Sequence, residues 1–408
     1  MKEIGVDVLK VKLSQLLGIP RVVASGNYAT PFTLLKALDG SVAEYRLNML
    51  NAQNGIPDRQ GVEYETAFVG AGMRRHPNLT YIPCRLSLVP VLFRDHYLPD
   101  VVLIHTSMPW NGKVSLGTEI NVLPAAIAAA RKNGGLVIAQ TNPKMPYTFG
   151  DGELDLAEID YLVAVDEPLT EKPNTPASDV AREIGARIAT LVADGSTLQL
   201  GIGGIPDSVI EQLHRRRGLQ IWTETFSDGV VGLQRSGAMA TEAEITASFV
   251  FGSRELYDWI DRNPAVRMLR TETTNDPSVI ATKHRMTSIN AALEVDLFDQ
   301  ANASHVRGQI YSGFGGSTDF IVGALHSPGG KSFMALPSWH DRAKVSTIVS
   351  RISETVTSFQ HSHVVTEQGI ADCFGHSQKE QVFSLINRAA HPDAREVLTE
   401  SATKMGLL

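Results

Sequence analysis

The stretch LQLGIGGIPDSVIEQL, residues 198–213, carries the pattern that indicates the fold. It combines a short apolar strand, a glycine-rich turn and an amphipathic helix, which are the elements that open a unit of a parallel α/β sheet. Glu224 follows in the segment IWTETFSDG, residues 221–229, after a second apolar strand. A glycine loop with an acidic residue about twenty positions later is also typical of dinucleotide-binding folds. Glu224 therefore either holds a ribose or carries the chemistry of the site.

The glycine loop fits a dinucleotide site poorly. The fingerprint G-x-G-x-x-G uses its third glycine for close packing between helix and strand. Gly201 and Gly203 match this pattern, but Pro206, which suits the first turn of a helix, stands in the third place. The loop therefore favours another phosphate- or pantetheine-bearing ligand over a dinucleotide, and a purely structural turn is the third alternative.

Strand patterns alternate with helix patterns along the whole chain, as in RVVASG, VVLIHTS and LVIAQT with the helical segments around them. This alternation predicts mainly parallel sheets covered by helices. The segment DEPLTEKPNTPASD, rich in proline and acidic residues, is the best linker candidate, and Ser178 or Asp179 can cap the helix after it. We predict two domains, residues 1–178 and 179–408, as the length of 408 residues also suggests.

The two halves contain related patterns. GNYATPFTLLKAL at 26–38 aligns without a gap on GIGGIPDSVIEQL at 201–213, and the helix and strand at 117–143 resemble those at 316–338. Where the second half has Gly203 and Gly204, the first has Tyr28 and Ala29, so only the second loop lets a ligand approach its backbone. We predict two related open α/β lobes, with the ligand held by the second lobe in a cleft shared with the first.

Composition excludes several classes of function. The formal net charge of -7 argues against a nucleic-acid partner, and no apolar stretch is long enough to cross a membrane. Cys84 and Cys373 lack ligand spacing, which suggests a reducing compartment. The sequence HSH at 361–363 has no carboxylate or thiol cluster to complete a metal set. We expect a cytoplasmic protein that acts on small molecules and holds no metal.

The setting of Glu224 favours a reactive role over a surface carboxylate or a cap for the turn at SDG. The residue ends the pattern LQIWTE beside the strand that leads into the glycine loop, where open α/β sheets bind ligands. Trp222 and Phe226 make its surroundings partly apolar, so that its carboxylate is less hydrated and a better nucleophile. A carboxylate beside free backbone N–H groups suits acyl transfer.

Several motifs in the same order carry a family resemblance. They are LQLGIGGIPDSVIEQL, TETFSDGVVGL, FVFGSRELYDWIDRNP, INAALEVDLFDQANA, GFGGSTDF, GGKSFMALPS and HVVTEQGIADCFGHS, together with SLGTEINVLPAAIAAA and GDGELDLAEIDYLVAVDEPL nearer the start. The chain resembles the acetyl-CoA hydrolase/transferase family, which belongs to the class I CoA-transferases and includes 4-hydroxybutyrate CoA-transferase. The resemblance covers nearly the whole chain.

The resemblance implies roles for particular positions. The catalytic residue would be Glu224, acting through an acyl-glutamyl anhydride and a glutamyl-CoA thioester, with CoA and its thioesters as substrates and without a tightly bound cofactor. The CoA contacts would be Gly201, Ile202, Gly203, Gly204, Ile205, Gly313, Gly315, Gly316 and Lys331. The family tends to form homo-oligomers. Hydrolysis of acyl-CoA at the same site is the alternative activity, and a nicotinamide-dependent dehydrogenase is disfavoured by Pro206.

The chain departs from the family pattern in the segment SWHDRAK, residues 338–344, where small residues are commoner. This segment, with Ser338, Trp339, His340 and Asp341, would border the acyl pocket. The residues therefore leave open which acyl group and which acceptor acid the enzyme uses.

Overall fold

The computed structural model describes residues 1–74, 76–172, 176–201, 203–354, 356 and 360–408. The chain forms two compact units. The first comprises Met1–Pro173, Thr246–Thr274 and Tyr311–Gly315, and the second comprises Asn174–Ile245, Asn275–Ile310 and Gly316–Leu408. The longest segment of the first unit ends close to the boundary predicted at residue 178. Residues 246–274 and 311–315, which the sequence assigned to the second domain, pack with the first unit.

The helices of the described residues lie mostly between strands. In chain order they are Val6–Leu13 (α1), Phe32–Asp39 (α2), Val89–Asp95 (α3), Leu123–Lys132 (α4), Asp179–Leu191 (α5), Gly204–Gln212 (α6), Gly229–Arg235 (α7), Arg254–Ile260 (α8), Thr271–Thr274 (α9), Pro277–Ala281 (α10), Ser317–His326 (α11), Gln378–Ser384 (α12) and Arg395–Lys404 (α13).

The strands are short. They are Lys2–Glu3 (β1), Arg21–Ala24 (β2), Tyr45–Asn48 (β3), Val62–Thr66 (β4), Leu79–Tyr81 (β5), Val101–Thr106 (β6), Lys113–Ser115 (β7), Leu136–Thr141 (β8), Phe149–Gly150 (β9), Glu153–Asp155 (β10), Tyr161–Ala164 (β11), Thr197–Leu200 (β12), Gln220–Trp222 (β13), Thr225–Phe226 (β14), Ile245–Ala247 (β15), Phe249–Val250 (β16), Val266–Met268 (β17), Thr287–Ala291 (β18), Glu294–Asp296 (β19), Ala301–Asn302 (β20), His305–Val306 (β21), Gln309–Ile310 (β22), Lys331–Ala335 (β23), Trp339–His340 (β24), Val345–Ser346 (β25), Ile348–Val349 (β26), His363–Val365 (β27) and Ile370–Asp372 (β28).

The first unit is built on a parallel sheet. In its described residues, eight strands take the order β1-β11-β8-β6-β2-β3-β4-β5, and every recorded pairing between neighbours is parallel. The central strand β6 is buried throughout its length. Strands buried on both faces are typical of parallel sheets with helices on each side.

The second unit contains the consecutive strands β28-β27-β23-β18-β12-β13. The pairings from β27 to β13 are parallel, and β28 is antiparallel to β27. β12 and β13 are parallel neighbours, with Leu198 opposite Ile221, so the loops after these two strands leave the same edge of the sheet. This carboxyl edge is where open parallel sheets place their ligands.

The first glycine loop and its helix form as the sequence predicted. α6 begins at Gly204, directly after the loop, and Gly203 at its N-cap has a φ of 124°, a conformation that side chains rarely adopt. In the first unit, the matching strand β2 is followed by a short 3-10 turn at Asn27–Ala29 before α2 begins at Phe32. Both strands lie inside their sheets with parallel neighbours, so the mixed α/β fold with mainly parallel sheets is confirmed.

Packing of α5 against the glycine-loop helix fixes the latter in place. α5 begins after Ser178, whose side chain accepts a hydrogen bond from the backbone N–H of Ala181, as the sequence predicted for this cap. A Cβ on the buried Gly185 would come within 2.8 Å of the carbonyl carbon of Ser208 on α6. The two helices therefore approach closely at a position where only glycine fits.

Within the described residues, no helix combines the length and apolarity that a membrane crossing requires.

Candidate active site

Glu224 lies at the carboxyl edge of the sheet in the second unit. It lies between β13, which ends at Trp222, and the short strand β14, which begins at Thr225. The buried hydroxyl of Thr223 accepts a hydrogen bond from the backbone N–H of Leu200 at 3.1 Å and donates to the carbonyl of Thr225 at 2.8 Å. These bonds tie the backbone on both sides of Glu224 to the end of β12. The backbone from which the Glu224 side chain extends is therefore held in place.

The Glu224 carboxylate lies against two residues from distant parts of the chain. The side-chain amide of Asn275, a fully buried residue, donates to Oε2 of Glu224 at 2.9 Å. A Cβ added to Gly316 would overlap with both Oε2 of Glu224 and Nδ2 of Asn275. Glycine at position 316 is therefore a condition for this arrangement, because no side chain fits beside the carboxylate.

The environment of Glu224 favours the neutral acid. Glu224 as a residue is partly exposed, but its carboxyl group is buried, and this burial raises its pKa to about 7. The hydrogen bond from Asn275 lowers the pKa, and the negative charge of Asp319, near the start of α11, raises it further. The carboxyl is thus balanced between its two protonation states at neutral pH. Perturbed carboxyls of this kind concentrate at functional sites.

The turn after Glu224 is anchored to the glycine-loop helix. Ser227 donates from Oγ to the carboxylate of Asp207, in the first turn of α6, at 2.9 Å. A Cβ on Gly229, the first residue of α7, would come within 2.8 Å of the side chain of Ile210 on α6. The loop that carries Glu224 and the helix that follows the glycine loop are consequently held as one assembly.

The first glycine loop leaves space beside its backbone. Positions Gly203 and Gly204 have no atom within 4 Å of an added Cβ, so packing within the protein does not explain why both lack side chains. Gly201 differs, because its N–H donates to Ile289 at 3.0 Å and an added Cβ would lie 3.2 Å from that carbonyl oxygen. Ile205 is half-buried in the first turn of α6, and Ile202 lies outside the described residues.

The predicted second glycine loop divides between the two units. Gly316 belongs with Glu224, whereas Gly313 and Gly315 pack within the first unit. Gly313 forms a β-bridge with Phe68, and an added Cβ would overlap with the carbonyl of Ala67. Gly315 has a φ of 59°, and its added Cβ would lie 3.3 Å from the Phe68 ring. Close packing in the first unit therefore accounts for glycine at these two positions.

Lys331 lies at the other end of the sheet from the glycine loop. It is the first residue of β23, in register with Thr287 at the start of β18, and its ammonium donates to the carbonyl of Leu191 at 2.8 Å. The structure does not bring Lys331 together with Gly203, Gly204 and Glu224. Its contact with CoA stays a prediction.

The segment at 338–341 forms part of a hairpin at the carboxyl edge. The backbone N–H of the buried Ser338 donates to Glu367 at 2.8 Å, and its hydroxyl donates to the same carboxylate. Burial alone would raise the pKa of Glu367, but these hydrogen bonds outweigh burial and lower it. The Trp339 ring lies 4.6 Å from that of His391, whereas His340 and Asp341 are exposed.

Sequence reasoning missed a second buried carboxyl, which lies in the first unit at the carboxyl end of β2. Oε1 of Glu119 accepts hydrogen bonds from the backbone N–H of Gly26 at 3.2 Å and from Asn121 at 3.1 Å. Burial raises the pKa of Glu119 to about 7. Asn27 and Asn121 beside it both have positive φ angles, which are strained for residues other than glycine. Glu119 and Asn121 lie within the motif SLGTEINVLPAAIAAA, but their contact with Gly26 joins positions 93 residues apart and has no local signal.

The arrangement in the second unit can perform nucleophilic chemistry on a carbonyl. It offers a weakly hydrated carboxylate held by an amide donor, and the N–H groups in the first turn of α6, which have no partner within the helix, lie at the open loop. In the described part of the chain, no group of three or more His, Cys, Asp or Glu side chains is placed to hold a metal ion. A site of this composition suits the class of enzymes that act on acyl carbonyl groups.

Comparison with known proteins gives this class a family. Residues 28–171 match the acetyl-CoA hydrolase/transferase N-terminal domain, and residues 252–402 match the C-terminal domain of the same family. A 4-hydroxybutyrate coenzyme A transferase of Clostridium kluyveri is 34% identical, covering 96% of each chain. A succinyl-CoA:acetate/propanoyl-CoA:succinate CoA transferase of Fasciola hepatica is 36% identical over 93% of this chain and 84% of its own.

A solved structure agrees with these relatives. The crystal structure of RipA from Yersinia pestis matches with a TM-score of 0.91 at 29% identity, covering 100% of this chain and 98% of that one. The chain belongs to the acetyl-CoA hydrolase/transferase family. The sequence-based predictions of the family and of an enzyme are confirmed.

The raised pKa of Glu224 predicts a gain of stability in Glu224→Gln. The folded-state pKa of about 7 exceeds the ordinary value of 4.5, so the folded protein binds more protons than the unfolded chain between these values. Stability is therefore lost as the pH rises through this range. We expect Glu224→Gln to raise the free energy of unfolding by about 1–3 kcal/mol at pH 8, with no gain near pH 4. Urea titrations at both pH values measure the free energy of unfolding, and equal gains at pH 4 and pH 8 would contradict the prediction. Glu242→Gln, at an exposed position, is the control.

The contact at Gly316 predicts that Gly316→Ala displaces the carboxylate. The new methyl overlaps with Oε2 of Glu224 and with Asn275, so overpacking should cost about 1–3 kcal/mol of stability. Gly204→Ala adds the same group in open space and should leave the free energy of unfolding nearly unchanged. Urea titrations of both variants check the pair, and equal losses of stability would refute the steric explanation.

Proposed function

We propose that the chain is a CoA-transferase that moves CoA between an acyl-CoA and a carboxylic acid, with Glu224 as the nucleophile. The observation that carries the proposal is the position of the Glu224 carboxylate. It accepts a hydrogen bond from Asn275 at 2.9 Å and lies so close to Gly316 that no side chain fits at position 316. Membership of the acetyl-CoA hydrolase/transferase family supports the same conclusion. CoA and its thioesters are substrates, and no tightly bound cofactor enters the reaction.

The first half of the reaction transfers CoA onto the enzyme. The Glu224 carboxylate attacks the thioester carbonyl, the C–S bond breaks, and CoA leaves as a thiolate while an acyl-glutamyl anhydride forms. The thiolate then attacks the glutamyl carbonyl of the anhydride. This step breaks the C–O bond, releases the first acid as a carboxylate and leaves a glutamyl-CoA thioester. No proton is transferred, because nucleophile and leaving groups are all anions.

The second half reverses these steps with another acid. The acceptor carboxylate attacks the glutamyl-CoA thioester, which gives a new anhydride and a free CoA thiolate. The thiolate attacks the acceptor's acyl carbonyl, so that a new acyl-CoA is formed and Glu224 is restored as a carboxylate. Each addition passes through an oxyanion, which the backbone N–H groups of the loop around Gly203 and Gly204 would stabilise.

The residues around Glu224 have separate tasks in this scheme. Asn275 donates to Oε2 and leaves the other carboxylate oxygen as the attacking atom. The open positions at Gly203 and Gly204 admit the pantetheine arm of CoA close to the backbone, because no Cβ stands in the way. We also propose Gly201, Ile202, Ile205, Gly313, Gly315 and Gly316 as the loops around this arm, a homo-oligomer as the assembly, and the cytoplasm as the location.

The decisive experiment traps the intermediate. We expect incubation with acetyl-CoA followed by borohydride to modify the peptide that contains Glu224, since borohydride reduces a glutamyl-CoA thioester. Glu224→Ala should lower the rate of acyl exchange between acetyl-CoA and propionate by about a thousandfold or more. The matched control, Glu211→Ala on the exposed face of α6, should retain the rate. Full exchange activity in Glu224→Ala would overturn the proposal.

The same incubation separates transfer from hydrolysis. Transfer predicts propionyl-CoA in the presence of propionate and little free CoA in its absence. Hydrolysis predicts that free CoA accumulates at the same rate with or without an acceptor, because water intercepts the intermediate. Both reactions use Glu224 as the nucleophile. Comparing the rates with and without propionate therefore shows only whether the acceptor is a carboxylate or water.

The pKa of Glu224 predicts the pH dependence of the reaction. Attack requires the ionised carboxylate, so kcat/KM for acetyl-CoA should rise with pH and reach half its maximum near pH 7, where the folded-state pKa lies. Asn275→Ala removes a donor that lowers this pKa, and the midpoint should therefore move upward. Asn387→Ala, at an exposed position of the second unit, should leave the midpoint in place. A profile that is flat from pH 5 to 9 would contradict the prediction.

A further inference from the structure

Positively charged side chains gather at the edge of the second unit's sheet where the strands start, opposite the edge that holds Glu224. The loop before β13 carries Arg216 and Arg217, and the turn before β18 carries Arg285. Lys331 is the first residue of β23. Because β12, β13, β18 and β23 are connected by parallel pairings, these four residues lie at one edge, which we call the amino edge. The chemistry proposed at Glu224 gives this edge no role.

Two of the four cations cap the carboxyl end of α5. Arg216 donates from Nη2 to the carbonyl of Ala189 at 2.7 Å, and the ammonium of Lys331 donates to the carbonyl of Leu191 at 2.8 Å. Carbonyls in the last turn of a helix have no partner inside the helix, and together they carry roughly half a negative charge. Two cations already exceed this charge, so helix capping does not account for the other two arginines.

Arg217 and Arg285 are fixed by the turn that follows α5. The backbone N–H of Arg217 donates to Oδ1 of Asp194 at 2.9 Å, and Arg285 donates from Nη1 to the carbonyl of Asp194 at 3.0 Å. The backbone N–H of Gly195 donates in turn to the carbonyl of Arg217 at 2.9 Å. The two arginines therefore lie beside the same turn, and Asp194 brings one negative charge to a group of four positive ones.

Each of these two arginines keeps one edge of its guanidinium group available. Nη1 of Arg217 donates to the carbonyls of His214 and Arg216, at 3.3 Å and 2.7 Å, and Nη1 of Arg285 is occupied by Asp194. In the part of the chain that the structure describes, Nε and Nη2 of Arg217 and Arg285 form no hydrogen bond and no ion pair. Both residues are exposed. A ligand in solution can therefore reach two guanidinium edges of the kind that bind phosphate through paired hydrogen bonds.

The backbone at Arg285 supports a role for its side chain. Arg285 has a φ of 47°, which is strained for a residue other than glycine. The neighbouring turns use glycine for this conformation, at Gly195 with a φ of 75° and at Gly218 with a φ of 70°. An arginine at a position where glycine would cost less free energy indicates that the guanidinium group is needed there.

We propose that the amino edge is a binding site for an anion that contains a chain of phosphate groups. Positive charge without paired carboxylates selects an anion, and two guanidinium edges require more oxygens than one carboxylate group supplies. A phosphate chain presents oxygens along its length, so that one group pairs with Arg217 and another with Arg285. Arg216 and Lys331 add attraction at longer range. Inorganic polyphosphate and nucleoside triphosphates share this chemistry.

Calorimetric titration of the full chain with inorganic tripolyphosphate tests the proposal. We expect saturable binding of one tripolyphosphate per chain, with a Kd on the order of 0.1–1 mM at low salt, and weaker binding as the ionic strength rises. Citrate, whose charges are carried by separate carboxylates, should bind at least about tenfold more weakly. Absence of saturable tripolyphosphate binding, or equally tight binding of citrate, would overturn the assignment.

Adenosine triphosphate distinguishes the two sources of the phosphate chain. We expect it to compete with tripolyphosphate, because both place a phosphate chain on the same arginines. Tighter binding of adenosine triphosphate would make a nucleoside triphosphate the natural ligand, and equal or weaker binding would make the inorganic chain the ligand. Simultaneous binding of both anions, without competition, would contradict a single site.

Matched variants locate the binding. Arg217→Gln and Arg285→Gln each remove one exposed guanidinium group and should each weaken tripolyphosphate binding by about tenfold. Arg388→Gln is the control, because Arg388 is also exposed but its guanidinium group pairs with Asp372 at 2.8 Å. This variant should leave the Kd unchanged. Equal effects of all three substitutions would show that binding follows net charge alone and would reject the amino edge.

Acyl exchange separates this site from the catalytic one. The KM for acetyl-CoA should be the same in Arg217→Gln and Arg285→Gln as in the unaltered chain, because both arginines lie at the opposite edge of the sheet from Glu224. A KM raised several-fold in both variants would place the phosphates of CoA at the amino edge and overturn the proposal of a separate site. Titration with tripolyphosphate involves no catalysis, so its outcome is independent of whether Glu224 is the nucleophile.

Discussion

The burial of one carboxylate is the constraint on which the second unit depends. Glu224 can lie at the carboxyl edge of the sheet only because Asn275 supplies a donor at 2.9 Å and Gly316 supplies no side chain at all. Burial and the nearby Asp319 raise its pKa to about 7. Burying the carboxylate costs folding free energy. Contacts that hold the surrounding loops, such as the hydrogen bonds of Thr223 and of Ser227, offset this cost. A site that is costly to keep folded is the usual condition of an active site.

The predictions that agree with the structure were made from patterns of neighbouring residues. Ser178 caps α5 because its hydroxyl is within reach of the backbone N–H groups that follow it, and this depends on four adjacent residues alone. Gly203 adopts a φ that requires glycine, and Pro206 is within the first turn of α6, as expected from its fixed backbone angle. The parallel sheet follows from the alternation of strands and helices. The place of Glu224 at the sheet edge was predicted from the strand before it.

Long-range contacts limited what the sequence could predict. Asn275 precedes the Asp276 cap of α10 and looks like an ordinary turn residue, so nothing local indicates that it meets Glu224. Asp299 and His361 also lie in contact although they are 62 positions apart, and each alone resembles a loop residue. The residues at 311–315 pack with the first unit because of a bridge between Gly313 and Phe68, which no periodicity reveals. Pairing of this kind depends on the folded topology rather than on local propensity.

The absence of a side chain at position 316 also has a consequence for how this chain can change over time. A glycine codon mutates in one step only to residues with a Cβ, and each of these would collide with the carboxylate of Glu224. Substitution at 316 is therefore blocked while both Glu224 and Asn275 keep their side chains, because an added Cβ would overlap with each of them. Aspartate at 224 would withdraw the carboxylate by one methylene but would leave the overlap with Asn275. The order of substitutions at the three positions therefore matters, since 224 and 275 have to change before 316 can.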